Sequence, residues 1–331
     1  VSAMSTQRYD VLTLGETMIR LTPPSMERIE TTRQFDLHVG GSESNTAVGL
    51  ARLGMKTAWL SRLTDNALGH MITNTLSGFG VDTSHVIWTN EDRIGTYYFE
   101  PAVAPRSSRV IYDRAHSAFS KITANDLPLG LFQAAGARLL HLTGITPAVG
   151  VIEAAHQALR LAQQAGWAIS FDMNYRAKLW TAERALTICE PFIAAADIFL
   201  ISLNDVGILF GNATSGEDAL KMLTARYPKP LIVVTMGSLG AMARTRDGEM
   251  LQQGIFPSHE IGRLGRGDSF SAGFLYGYLK TEGTDAALAL RWGAACAALK
   301  GTIPGDLALF EFAEVQALAE QQGNTPQSLQ R

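Results

Sequence analysis

The chain has 331 residues, with 28 Lys and Arg against 31 Asp and Glu, a formal net charge of −3 and a pI of about 6.2. That balance argues against a general binder of nucleic acid or anionic membrane, which needs a basic excess, and 46% hydrophobic against 18% charged residues excludes wholesale disorder. No apolar run approaches the ~20 residues that span a bilayer, and two cysteines, Cys189 and Cys296, are too few for a disulfide framework or a Cys-based zinc site, so the expectation is a cytoplasmic globular protein that handles a small molecule.

The first residues are polar and irregular. A β-rich apolar run follows at Val11–Gly15, with others at Thr57–Ser61, Leu139–Gly144, Ala168–Asp172, Ile198–Ser202 and Leu231–Met236. Between them, Val151–Ala165 and Ala182–Ala195 repeat apolar residues at three and four positions, the helical period. Strands apolar on both faces and separated by helices predict an α/β fold with a mostly parallel sheet covered on both sides. Ligands of such sheets bind beyond the carboxyl ends of the strands.

Segments 16–39 and 93–119 break the alternation. They mix Pro23, Pro24, Pro101 and Pro105 with β-formers such as Tyr97, Tyr98, Phe99, Val110, Ile111 and Tyr112. Ordered loops of that length are uncommon and usually functional, so the two segments read as strands outside the main sheet, joined into a β lid. The whole reads as a single domain over 9–320, with flexible ends at 1–8 and 321–331.

Several common sites are excluded by spacing: the chain has no GxxxxGK[ST] loop, no GxGxxG at the first helix, no HExxH and no GxSxG elbow. The seven histidines are scattered without metal-ligand spacing. The strongest signal is Gly265-Arg266-Gly267-Asp268-Ser269-Phe270-Ser271-Ala272-Gly273-Phe274. Glycines at a helix start leave N–H groups free to converge on an anion, and the helix dipole favours negative charge there. Asp268 at that mouth reads either as an N-cap or as the base that takes a proton from a hydroxyl attacking a bound phosphate. Gly273 and Gly277, four apart, predict a helix packed closely on a neighbour.

A second signal lies at Gly40-Gly41-Ser42-Glu43-Ser44-Asn45-Thr46-Ala47, a glycine turn running into a helix closed by Gly54. Paired glycines admit a polar ligand to the backbone, and Asn45 both donates and accepts hydrogen bonds. The bland reading is an ordinary turn and helix.

Together the two segments resemble the PfkB (ribokinase-like) family of sugar kinases, which carries a GG…N…A.LG stretch near the amino terminus and a DTxGAGD stretch near the carboxyl terminus. The resemblance runs from Val11 to about Pro304. Finer features are similar to the 2-keto-3-deoxygluconate kinase branch: Gly95-Thr96-Tyr97-Tyr98, Tyr112-Asp113-Arg114, and Phe171-Asp172-Met173-Asn174-Tyr175-Arg176 followed by Leu179-Trp180. The resemblance implies a three-layer ribokinase-like αβα fold with a β-sheet lid, and an ATP-dependent kinase with Mg²⁺ bridging the phosphates. It implies Asp268 as base, with Gly265, Arg266 and Gly267 stabilising the phosphoryl group. Gly41, Asn45, Tyr98, Tyr112, Arg114 and Arg176 would hold the sugar acid, and the planar forks of Arg114 and Arg176 suit its carboxylate. Arg176 also reads as a salt-bridge partner of Asp172. Asn174, Ser202, Asn204, Thr235, Gly237, Gly240, Gly265 and Gly267 would line the nucleotide site, and a homodimer through the lid would cover its exposed edges.

Three departures fall on the nucleotide side. The family's Asp-Thr is Gly262-Arg263, its alanine between the glycines is Arg266, and its NxxE glutamate is missing from Asn204-Asp205-Val206-Gly207. Arg266 either adds positive charge for the moving phosphoryl group or fills the space the triphosphate needs. A fructokinase, ribokinase or nucleoside kinase, and a non-catalytic sugar-acid binder, are therefore the competing expectations.

Overall fold

The computed structural model describes residues 8–211 and 213–321; of the ends expected to be flexible, all but Arg8 and Gln321 lie outside the described residues. In chain order the strands are β1 (Tyr9–Leu14), β2 (Met18–Thr22), β3 (Asp36–Gly40), β4 (Thr57–Thr64), β5 (Val81–Asp82), β6 (Val86–Thr89), β7 (Thr96–Glu100) and β8 (Arg109–Asp113). They continue with β9 (Ala137–Thr143), β10 (Ala168–Asp172), β11 (Ile198–Ser202), β12 (Leu231–Thr235), β13 (Ala241–Arg244) and β14 (Met250–Gln253).

Ten of them form one sheet in the order β14-β13-β12-β11-β10-β9-β1-β4-β5, with β6 also on β4. All pairs from β12 to β5 are parallel, and β13 and β14 add an antiparallel hairpin at the edge. The hairpin strands are only four residues each and interrupted by polar or exposed positions, with β14 burying none of its residues, which is why no apolar run announced them. In β11 the pleat sends Phe199 and Ile201 into one core and Ile198 and Leu200 into the other. The first core is closed by the helices Ile152–Gln164 and Ala182–Ala195, the second by Arg266–Lys280 and Ala286–Gly301. Helices on both faces of a parallel sheet make the expected three layers.

The last two helices pack as the glycine pair predicted. A Cβ on Gly273 would lie 2.4 Å from the Trp292 carbonyl oxygen, and one on Gly277 would lie 2.6 Å from Ala289 Cα. No helix among the described residues is long and apolar enough to cross a membrane.

The remaining strands form a second sheet in the order β3-β2-β7-β8, antiparallel at its two outer pairs and parallel between β2 and β7. Its register aligns two cross-strand rows. His38, Arg20, Tyr97 and Tyr112 stand side by side, as do Leu37, Leu21, Tyr98 and Ile111. Successive residues on a strand face opposite sides; the first row faces the cleft, with Arg20 and Tyr97 on Asp306 and Tyr112 beside Lys178, and the second lies on the other side.

Candidate active site

Asp268 sits in the first turn of the helix Arg266–Lys280, and no side chain caps that helix. Its N-cap is Gly265, in the left-handed region at φ 74°, where a Cβ would lie 2.0 Å from the Asp306 carbonyl oxygen. Only glycine fits there. The free N–H groups of that turn and the helix dipole converge beside the carboxylate. Asp268 is thus not an N-cap. One of its oxygens accepts from Ser42 Oγ at 2.6 Å and the other from Asn45 Nδ2 at 2.7 Å.

Those two donors are themselves held. Ser42 Oγ accepts from Asn174 Nδ2 at 2.7 Å, and the Asn45 side-chain oxygen accepts from the Gly41 N–H at 3.3 Å. Gly41 presses on the chain beyond β1, since a Cβ there would lie 2.1 Å from the Glu16 carbonyl oxygen. Asn45 and Asn174, expected on the sugar and nucleotide respectively, here align the carboxylate. Burial raises the Asp268 pKa, while the Ser42 and Asn45 hydrogen bonds and the Arg176 charge lower it.

Two further carboxylates stand at neighbouring strand ends. Asp172 closes β10, and Asp205 lies in the first turn of the helix Leu203–Leu209 after β11. Burial, then the charges of Asp268 and Asp205, push Asp172 up to about 7. Burial also raises Asp205. The Arg176 charge opposes the rise at all three. Among the described residues Arg176 forms no ion pair, with Asp172 or any other acid, and its side chain is exposed. Asp205 stands one residue after Asn204, in the first turn of the helix that follows β11, and not at the NxxE glutamate's place, which is Gly207. Ser202 and Asn204 stand at the start of that helix, outside the lining of the cavity described next. The Ser202 hydroxyl caps the Leu203–Leu209 helix by accepting from the Asp205 N–H at 3.0 Å. Asn204 is exposed beside it.

Beyond Gly267 opens a cavity of about 530 Å³, bounded by Thr235, Gly237, Gly240 and Gly267 on its polar side and by Phe256 and Phe270 on its apolar side. A polar rim against an apolar wall suits phosphates and a flat base. Arg266 does not plug it: Nε donates to the Ala297 carbonyl at 3.2 Å, and the guanidinium pairs with Glu260, which Arg263 also meets at 3.3 Å.

The lid corrects two sugar-side expectations. Tyr98 points away from the body and packs edge-on against Phe35, with ring centroids 5.8 Å apart. Tyr97 takes the inner face instead, beside Tyr112 at 5.9 Å, and its hydroxyl donates to Asp306 at 2.5 Å. The planar fork of Arg114 is already filled, since Nε and Nη2 both donate to Glu16, and the pair is buried. Tyr112 lies between the Arg114 guanidinium, 5.7 Å from its ring, and Lys178, 5.9 Å away. Lys178 Nζ in turn donates to the Val110 carbonyl at 2.7 Å, tying the loop after β10 to the lid.

Ser42, Tyr97, Asp172 and Asp306 were not singled out in the sequence as site residues, and Asp205 only as an imperfect stand-in for the missing NxxE glutamate. All but Asp306 stand inside the quoted motifs, and for Ser42 and Asp172 polarity at a helix start and a strand end is the signal that locates them. No group of three or more His, Cys, Asp or Glu among the described residues forms a metal cage. That donor set is compatible with a magnesium ion carried on nucleotide phosphates, which needs only one or two protein carboxylates, and Asp172 and Asp205, at neighbouring strand ends, are the residues that would hold it. The arrangement can hold an anion at a helix mouth, take a proton beside it, and meet a second anion with an unpaired arginine.

Three comparisons extend this picture. The profile of the family described as pfkB family carbohydrate kinase matches residues 8–309. The chain is 38% identical to a 2-dehydro-3-deoxygalactonokinase of Haloferax volcanii over 93% of its length and 95% of that protein. It is 30% identical to a 2-dehydro-3-deoxygluconokinase of Bacillus subtilis over 91% and 92%. The crystal structure of a 2-dehydro-3-deoxygluconokinase from Thermotoga maritima superposes with a TM-score of 0.85 at 32% identity, covering 95% of this chain and 99% of that one.

Proposed function

Since the chain belongs to the pfkB family of carbohydrate kinases, we propose that it transfers a phosphoryl group from ATP to the terminal hydroxyl of a sugar acid. The first candidate is 2-keto-3-deoxygluconate, which would become 2-keto-3-deoxy-6-phosphogluconate. The observation that carries the reading is Asp268 at a helix N-terminus, hydrogen-bonded by Ser42 and Asn45, with the exposed and unpaired Arg176 within electrostatic reach. Asp268 takes the proton of the substrate hydroxyl as its oxygen attacks the γ-phosphorus. The bond from phosphorus to the bridging oxygen breaks, and ADP departs. The N–H groups of the Gly265–Asp268 turn stabilise the charge on the moving phosphoryl oxygens, where preorganised donors act most strongly. A magnesium ion, if held near Asp172 and Asp205, would neutralise charge on the phosphates, and the lid excludes water that would otherwise accept the phosphoryl group.

Arg176, rather than Arg114, is the group free to receive the acid's carboxylate. We read Arg114 as a strut that holds Tyr112 and the lid through Glu16. The two relatives described above act, by their names, on the galactonate and gluconate forms of a 2-keto-3-deoxy acid, so the decisive assay offers both with ATP. ADP formation is followed and the product is weighed by mass spectrometry. Phosphorylation of either acid above fructose and ribose bears the reading out. Preference for a neutral sugar overturns it, and thermal stabilisation by the acid without ADP release favours a binder that does not turn over. A cytoplasmic setting accords with both cysteines being free and buried. The outward row of the lid, with Leu37 52% and Ile111 44% exposed, is the face on which we expect two copies to pair.

A further inference from the structure

Asp306 lies in the irregular stretch after the helix Ala286–Gly301 and is 4% exposed. It touches four separate parts of the site. One carboxylate oxygen accepts from Tyr97 of β7 at 2.5 Å, and the other lies 2.9 Å from Arg20 Nη1 of β2. The side chain packs on Gly40, where a Cβ would lie 2.8 Å from Asp306 Cγ. Its carbonyl oxygen packs on Gly265, where it would lie 2.0 Å from an added Cβ. The two central lid strands, the glycine turn and the cap of the helix that carries Asp268 thus meet at one residue.

The stretch that carries it is held from beneath. Lys300, fully buried, donates Nζ to the carbonyls of Ile303 at 2.8 Å and Gly305 at 3.1 Å. The Arg20–Asp306 pair is almost wholly removed from water, with side chains 4% and 5% exposed. Such a pair adds little net stability over apolar residues of the same size, because desolvation offsets the attraction. It does define geometry, since a buried charge pair tolerates few arrangements. Neither partner is in the set that performs the transfer, and nothing in the chemistry described above requires them.

We propose that Asp306 is a positioning residue that couples closure of the lid over the sugar to the set of the phosphate-binding turn at Gly265, so that the two substrates bind cooperatively. A sugar acid that draws the lid inward moves Arg20 and Tyr97. Asp306 follows them, and its carbonyl bears on Gly265, the cap of the helix that carries Asp268, where the backbone is too close for any side chain. By linkage the nucleotide then tightens the sugar by the same factor. This inference rests on the kinase reading above.

The test measures the Kd of a magnesium-bound non-hydrolysable ATP analogue by calorimetry, without and with saturating sugar acid of whichever epimer is turned over. In the unaltered protein the acid should tighten the analogue by about fivefold or more. Asp306→Asn should bring that factor to about one while each ligand alone binds within about twofold of the unaltered protein. Tyr97→Phe removes only one strut and should give an intermediate factor, which keeps the test available if the asparagine variant folds poorly. An unchanged factor in folded variants, or a factor of one in the unaltered protein that still phosphorylates the acid, overturns the coupling and leaves the kinase reading standing. If neither acid binds the unaltered protein, both fall together.

Discussion

Asp268 is legible as a residue type in a short motif, because an acid after two glycines at a helix start has few uses. Its hydrogen-bond partners are not, because Ser42 lies 226 positions away and no local rule joins them. Asp268→Asn keeps the shape and removes the proton acceptor, so kcat should fall roughly 10²–10⁴-fold while the Kd of the sugar acid stays within about threefold; steady-state kinetics and calorimetry read the two. The arginines separate by what already holds them. Arg176→Ala should raise KM for the acid roughly 10- to 100-fold, the loss of one charge-assisted contact. Arg114→Ala strands the buried Glu16 carboxylate and should instead lower Tm, at about 3–5 kcal/mol. Burial raises Asp268, and the base works only when deprotonated, so kcat/KM should decline on acidification along a limb above the ordinary carboxylate range. Removing Arg176 removes a charge that holds that pKa down. The limb should therefore move to higher pH in Arg176→Ala, and a shift to lower pH would contradict the assignment.

At the scale of elements, the apolar runs at Val11, Thr57, Leu139, Ala168, Ile198 and Leu231 all became strands of the main sheet, because a strand buried on both faces can be little else. The hairpin β13–β14 escaped notice since one face of each strand is solvated. The lid shows the limit most plainly. Two adjacent tyrosines must face opposite sides, yet which of them faces inward depends on the register that sets Tyr97 opposite Tyr112 and Arg20. The glycine pair in the Arg266–Lys280 helix is a case where spacing and packing agree. Gly277→Val would drive a branched side chain into the Ala289 backbone, which cannot yield as a side-chain tip can. The expected loss is about 1–3 kcal/mol or more, seen as a lower Tm, with kcat reduced as well because the same helix carries Asp268.

For the whole molecule, the lid is built from two segments that also frame the first helix, so its position bears on both halves of the site. Its outward row of Leu37, Leu21, Tyr98 and Ile111 forms an apolar stripe across all four strands, which an aqueous surface rarely leaves uncovered. Ile111→Asp should shift the protein from dimer to monomer by light scattering, and a monomer in the unaltered protein would show that this face has another use. What the sequence alone determined is the layered architecture and the glycine-led helix start with its acid, since each is written in local spacing and residue chemistry. Only the tertiary structure decided which arginine is free, which tyrosine faces the cleft and how Asp306 joins the lid to the turn. Those depend on pairings between distant segments, where a charge is available or spent according to which neighbour the fold places beside it.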